Sequence, residues 1–412
     1  MTNKFKIAVR EFGPFEKAIE KIWKSFCAET GCSMELEAVP MDLPLLHEST
    51  IGKENGLKNG SWDVIHINTD WIAEADQKDC LEDLAPWIMA KSPDNYPGGW
   101  SDSLLNMQKF DDRILGLPFH DGPECLIYRK DLFSDPKERA AFKLTYKREL
   151  QPPTTWDELH QVAQFFNRPE QNLYGTVFAL YPDGHNTVFD FCLQLWTRGG
   201  ELLNNRGAIN INTPASEAGL TFYRKIVRDK SAVHPECKDF DSVKSGMAFA
   251  NGEVAMMVNW FGFASMCEVF QGSKVKGCVD IADVPSGPGG QGVSLNVYWL
   301  YAITKGSKNK KWAYDFIRYA TNTANDKLLT LEGGIGCRRS TWTDKEVNDT
   351  VPYYHKLDTL HKHARTLPRK TNWNRISDVL DRMVTELLAT NRPEKDLLSE
   401  AQSKIDKIEE AI

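Results

Sequence analysis

The chain has 412 residues, 41% hydrophobic and 26% charged, with a formal net charge of −7. That balance excludes a disordered chain and leaves room for two domains. The acidic charge, with no Lys/Arg cluster interleaved with aromatics, argues against a nucleic-acid partner, and no apolar run approaches the length of a membrane span.

Phe5 to Val9 reads as a first strand, ended by Gly13-Pro14. Phe15, Ile19, Ile22, Trp23 and Phe26 then fall on one face of a helix, and Met34 to Val39 reads as a second strand. Phe12 and Phe15 sit at the strand-to-helix turn, where open α/β sheets face their ligands. Phe15 suits packing; Phe12 is open to either role. Leu43 to Lys58 has a helical pattern with Pro44 in its first turn, and its His47 reads as a solvated surface residue.

Asp63 to Asn68 is short and β-branched, the mark of a strand buried in a parallel sheet. Asp70 and Trp71 follow it directly. A carboxylate beside a large aromatic at that place can bond hydroxyls and stack on a flat face. Equally, Asp70 can cap the next helix and Trp71 can be core. A further helix is expected from Ser101 to Gln108. Gly116, Pro118, Gly122 and Pro123 supply turns, which leaves His120 and Asp121 either to meet a ligand or to bond the turn backbone.

Thr155 and Glu158 are spaced as a capping box, so the adjacent Trp156 reads as structural. Gly175 to Leu180 reads as a strand, followed by a loop in which Asp183, His185 and Asn186 serve a turn or a ligand. Phe189 to Leu195 is an apolar helix, and Thr213-Pro214 opens another. Val254 to Val258 is a strand with Asn259 and Trp260 at its carboxyl end. Gly287 to Gly292 matches G-x-G-x-x-G in form, but a β-prone run follows it and not a helix, so it is no dinucleotide site. Asn296, Tyr298 and Trp299 lie on that run. Alternation puts Tyr298 and Trp299 on opposite faces, one core and one free.

Ser307 or Asn309 is placed to cap the helix ending at Ile317. Arg338 or Arg339 in the Gly-rich loop that follows can meet a carboxylate with a two-pronged guanidinium. The tail from Tyr353 is helical, with Trp373 a candidate to lie near the ligand cleft, and ends in an amphipathic helix from Asp396 to Ile408. His361-Lys362-His363 reads as a solvated helix face, since no carboxylate or Cys spacing supports a metal. Nine cysteines, an odd number with no Cys-x-x-Cys, fit reduced buried thiols better than a disulfide framework. Cys27 and Cys32 are the closest pair.

Four ordered phrases carry a resemblance: Ser61 to Trp87, Ile114 to Phe133, Phe249 to Trp260, and Lys305 to Ile317. They are joined by the Pro-x-Thr-Trp-Asp-Glu-Leu segment and by Gly333 to Ser340. Together they resemble the family 1 extracellular solute-binding proteins, the maltose-binding-protein-like sugar carriers of ABC importers. The resemblance implies an α/β, two-lobed periplasmic-binding-protein fold with discontinuous lobes around a ligand cleft. It places 1–118 plus 288–335 in an N-terminal lobe and 119–287 plus 336–412 in a C-terminal lobe.

The function implied is capture of a carbohydrate, an oligosaccharide and conceivably an acidic one, in the inter-lobe cleft by lobe closure. Delivery to the membrane subunits of an ABC importer follows, with no catalysis, cofactor or metal. The ligand-binding set is Phe12, Asp70, Trp71, His120, Asp121, Asn259, Trp260, Asn296, Tyr298, Trp299 and Arg338, with Trp260 foremost as a stacking platform. The protein is expected to be a monomer. It is either a periplasmic or cell-surface form lacking its export signal or a cytosolic chain. The rival class is a carbohydrate hydrolase using paired carboxylates. No G-x-S-x-G, H-E-x-x-H or P-loop motif occurs.

Overall fold

The computed structural model describes residues 4–52, 55–182 and 184–410. In chain order its strands are β1 (Lys4–Arg10), β2 (Glu35–Met41), β3 (Val64–Asn68), β4 (Lys109–Phe110), β5 (Arg113–Ile114), β6 (Leu117–His120), β7 (Glu124–Arg129), β8 (Met256–Trp260), β9 (Val279–Ala282), β10 (Ser294–Leu295), β11 (Trp299–Ile303) and β12 (Ala364–Arg365). Two compact units result. The first holds Met1–Gly122, Val297–His361 and Arg369–Thr371; the second holds Pro123–Asn296, Lys362–Pro368 and Asn372–Ile412. Both are discontinuous, but 288–296, expected in the N-terminal lobe, belong to the second unit, and 119–122, 369–371 and the long stretch 336–361, expected in the C-terminal lobe, belong to the first. For the long stretch the cause is Asp326. Its buried carboxylate accepts from the backbone N–H of Cys337 (2.8 Å) and Arg338 (3.2 Å) and from the Thr341 hydroxyl (2.6 Å), tying that stretch to the helix Thr323–Leu331.

The first unit is built on a sheet of order β2-β1-β3-β11-β6. β1 pairs in parallel with β2 and β3, whereas β11 runs antiparallel to both β3 and β6. All five residues of β3 are buried, as its β-branched run requires. Against this sheet lies the helix Gly13–Thr30, which buries Phe15, Ile19, Ile22, Trp23 and Phe26 on one face. Trp23 stacks on Phe5 at 4.8 Å and meets Phe316 edge-on at 5.3 Å. Each such side chain contributes about 1.5–3 kcal/mol by leaving water.

The second unit holds a smaller antiparallel sheet of order β8-β7-β9. The helix Trp156–Phe166 opens with the full capping box: Thr155 accepts from the Glu158 N–H, and Glu158 accepts from that of Thr155. Trp156 is structural, its indole N–H donating to Thr197 at 2.9 Å. The closing helix runs Glu394–Glu410.

Three elements differ from expectation. The helix begun at Leu43 ends at Thr50, because Gly52 follows and Asn55 adopts a left-handed φ of 51°. Ser101 to Gln108 forms one 3-10 turn, Asp102–Leu104, after which β4 and β5 pair about Asp111, also left-handed at φ 51°. Gly175 to Leu180 makes isolated bridges instead of a strand. Tyr174 bonds the 253–255 segment while Thr176 bonds Ala232 and His234, so its partner changes within two residues. Among the described residues no helix is long and apolar enough to cross a membrane.

Candidate functional site

In the first unit, β1, β3 and β6 run the same way, so their carboxyl ends share one edge of the sheet. Phe12 follows β1, Asp70 and Trp71 follow β3, and His120 and Asp121 end β6. The start of β11 lies at the same level, Trp299 pairing with Asn68 on one side and His120 on the other. The topology thus gathers six expected residues at one edge.

Their side chains divide into two groups. Tyr298 is fully buried; its hydroxyl donates to Gln108 at 2.8 Å and accepts from the Met107 N–H at 3.1 Å. Of the alternating pair Tyr298 is therefore core, and half-buried Trp299 is the freer ring. Trp71 is buried and meets Trp299 edge-on at 6.3 Å and His47 at 5.1 Å. Helix capping does not fall to Asp70: Asn68 Oδ1 accepts from the Trp71 N–H at 3.2 Å, and Asp70 is half-buried. His47, expected in solvent, is half-buried and bonds Glu74 at 2.9 Å.

His120 is half-buried against Phe12 and Phe15, whose rings lie 6.1 and 4.7 Å away. Burial pushes its imidazole down to about 4, against the opposing pull of Asp121, so the ring is neutral in ordinary buffers. Its Nδ1 accepts from the Ile335 N–H at 3.0 Å. The remaining proton is therefore on Nε2, which is left as a donor.

Asp121 is committed elsewhere. It is buried and bonds His361 Nε2 at 2.6 Å; His361 Nδ1 in turn bonds the Ser103 hydroxyl at 2.9 Å. His361 also stacks on Trp342 at 4.7 Å and 7°. The solvated-face reading of His361 is thereby corrected: apolar packing and a carboxylate 240 residues away in sequence hold it inside.

Arg338 is likewise occupied. Its guanidinium is 1% exposed, lies 4.1 Å above Trp100, and donates to Asp94 and Thr323. Gly99 gives the guanidinium its room here, since a Cβ would come within 2.9 Å of the guanidinium carbon and push it aside. The guanidinium expected to meet an acidic ligand is buried against the 94–100 loop, with Nη2 bonded and with Nε and Nη1 finding no partner among the described residues. Ser307 and Asn309 do not cap their helix; both donate to Asp63.

In the second unit Asn259 and Trp260 end β8, and Trp260 pairs with Glu124, the first residue of β7. Directly opposed residues of an antiparallel pair lie on one face of the sheet. Asn259 bonds backbone on both sides, Nδ2 to the Ser242 carbonyl at 3.1 Å and Oδ1 from the Trp260 N–H at 2.8 Å. Trp260 is half-buried and meets Phe189 edge-on at 5.5 Å. Glu124 is buried, with no donor to its Oε2 among the described residues. Burial, and then the nearby Asp190, hold it well above the usual carboxylate range. Asp190 is raised to about 7 by burial, although the Tyr223 hydroxyl donates to it. Asn296 is fully buried with neither amide atom bonded among the described residues, while its backbone N–H donates to Arg365 at 2.8 Å.

Glu124 and Asp190 carried no signal in the sequence reading. Glu124 lay inside a phrase read only for its turns and its strand; the available clue was an acidic residue opening an otherwise apolar run. Asp183 lies outside the described residues. Trp373 is buried at the start of its helix. No cluster of three or more His, Cys, Asp or Glu that could hold a metal ion occurs among the described residues.

Solved structures share the fold. The maltose-bound MalE3 of T. maritima matches with a TM-score of 0.85 at 22% identity, covering 100% of both chains. A ribitol-complexed ABC transporter solute-binding protein from Agrobacterium radiobacter K84 matches with 0.85 at 23% identity, covering 98% of both. At these identities the likeness speaks for the fold, the two-lobed α/β architecture. A protein of Deinococcus radiodurans named as a probable ABC transporter-binding protein is 24% identical over 373 residues, 88% of this chain and 84% of its own length. The family model described as bacterial extracellular solute-binding protein matches residues 21–351. The chain therefore belongs to the bacterial extracellular solute-binding protein family.

Proposed function

We propose that this protein binds a neutral polyhydroxylated molecule, a sugar or a sugar alcohol, outside the cytoplasm. It then passes the ligand unchanged, as a monomer, to the membrane subunits of an ABC importer. The observation that carries the reading is Trp260 opposite Glu124: a half-buried aromatic face beside a carboxyl group with an unbonded oxygen. An apolar ring face stacks on the C–H face of a sugar or polyol. A carboxyl held protonated both donates to and accepts from hydroxyls. Within the first unit, Trp299, the Nε2–H of His120 and Asp70 place an aromatic face, a neutral donor and a carboxylate at the carboxyl edge of its own sheet.

Charge favours a neutral ligand over an acidic one. Arg338 is buried and paired with Asp94, and the buried carboxyls of Glu124 and Asp190 bring no positive charge to balance a uronate. The relatives' maltose and ribitol are neutral as well, and they support sugar and polyol alike as the class to test.

The test is a thermal-shift panel of neutral sugars, sugar alcohols and uronic acids, with the bound compound recovered and identified. A ligand at a hundred times its Kd adds about 2.7 kcal/mol of stability. Neutral compounds are expected to raise Tm and to be recovered intact. Silence across the neutral set overturns the reading, and so does turnover of a glycoside. The latter would favour a hydrolase built on Glu124 and Asp190.

A further inference from the structure

We propose that Cys27 and Cys32 form a disulfide when the folded protein meets a disulfide oxidant, stapling the carboxyl end of the first long helix to the turn before β2. This inference is independent of the ligand reading.

Gly13–Thr30 stops at Gly31, which takes the left-handed conformation at φ 73°, ψ 17°, and its N–H donates to the Cys27 carbonyl at 3.0 Å. A left-handed cap of this kind folds the chain back on the last turn. The residue after the cap glycine then contacts the residue whose carbonyl the glycine bonds. Here those two residues are Cys32 and Cys27. The closure normally brings two apolar side chains together; in this chain it brings two thiols.

A second observation agrees. The Cys27 thiol is pushed up to about 11, first by burial and then by the charge and hydrogen bonding of the Cys32 thiol. The two sulfurs therefore sense each other in the reduced protein, where both are free. Cys27 is half-buried and Cys32 buried, which leaves an external disulfide one sulfur to approach.

The chemistry balances as ordinary exchange. The Cys27 thiolate attacks one sulfur of a small-molecule disulfide and expels a thiolate. The Cys32 thiolate then attacks Cys27 Sγ and expels the rest of the reagent as a second thiolate. Two protein S–H bonds and one external S–S bond become one protein S–S bond and two external S–H bonds, with two electrons passing to the reagent. A thiol raised in this way is a slow nucleophile and, once bonded, a poor leaving group. The pair is suited to a lasting staple in an oxidising compartment, not to rapid exchange.

The test uses the whole protein and oxidised glutathione at mildly alkaline pH, followed by denaturation, alkylation and trypsin. Ser25 to Lys53 is a single tryptic peptide that contains Cys27, Cys32 and no other cysteine. The expected product is that peptide lighter by two hydrogens and free of alkyl groups. A Cys32→Ser variant should instead hold glutathione on Cys27. Recovery of the wild-type peptide with two alkyl groups, with glutathione adducts, or joined to another cysteine peptide overturns the proposal. The direct mass measurement on wild type decides the matter even where the variant folds poorly.

Discussion

Two buried carboxylates, one in each unit, are treated in opposite ways. Asp63 in the first unit accepts from the Lys6 N–H at 3.0 Å, the Ser307 hydroxyl at 2.6 Å and the Asn309 amide at 3.2 Å. It joins β1, the entry to β3 and the segment after β11, and every donor is protein. Glu124 in the second unit opens β7 beneath Trp260 with an oxygen that no described residue satisfies. A carboxylate surrounded by protein donors stabilises the fold. One left without donors costs the fold something and is available to a ligand or to water.

The largest expected effect tests the first half of that contrast. Asp63→Ala strands three donors, the buried Ser307 hydroxyl and the part-buried Lys6 N–H and Asn309 amide, at up to about 1–3 kcal/mol each. Urea unfolding should show a loss of roughly 3 kcal/mol or more; a loss below 1 kcal/mol would show that the network is ornamental. Next comes Trp260→Ala, expected to weaken calorimetric binding of the proposed sugar or polyol by roughly 1–3 kcal/mol, the scale of a lost aromatic stack. Unchanged affinity would remove Trp260 from the site and with it the reason Glu124 is left bare.

A third prediction concerns pH. The Asp190 carboxyl rises from 3.8 to about 7 in the folded state. Its contribution to stability is therefore whole below about pH 4 and is lost as pH climbs through 7. Glu124 shifts in the same direction. Asp190→Asn should flatten the decline of the urea midpoint between pH 4 and 8; superimposable pH curves for variant and wild type would refute the strain assigned to this cluster. The smallest effect is a control. Thr155→Ala breaks the capping box in the second unit at about 1 kcal/mol, a purely local loss that should leave ligand affinity alone.

What could be read in advance was what is local. The β1–helix–β2 opening, the buried β3, the Thr155 cap and the opposite faces of Tyr298 and Trp299, though not which of the two is core, all follow from periodicity and spacing within a dozen residues. The carboxyl-edge cluster was also readable, because it follows from strand direction. The misreadings share a different cause. His361 meets Asp121 across 240 residues, and Arg338 meets Asp94 across 244. No window along the sequence contains such partners, so each residue looked free when it was already engaged. Glu124 erred the other way: it looked unremarkable in a turn phrase, and only its missing donors single it out.

The sheet order has a consequence in time. β3 and β6 are complete by residue 120, yet the strand that hydrogen-bonds to both, β11, begins only at residue 299. At synthesis rates of about 5–20 residues per second, that interval is roughly 10–40 s. Throughout it the nascent first unit has an empty slot between β3 and β6, and β6 cannot join the β2-β1-β3 strands across it. The first unit therefore cannot complete its sheet until everything from β7 to β10 has been made in between.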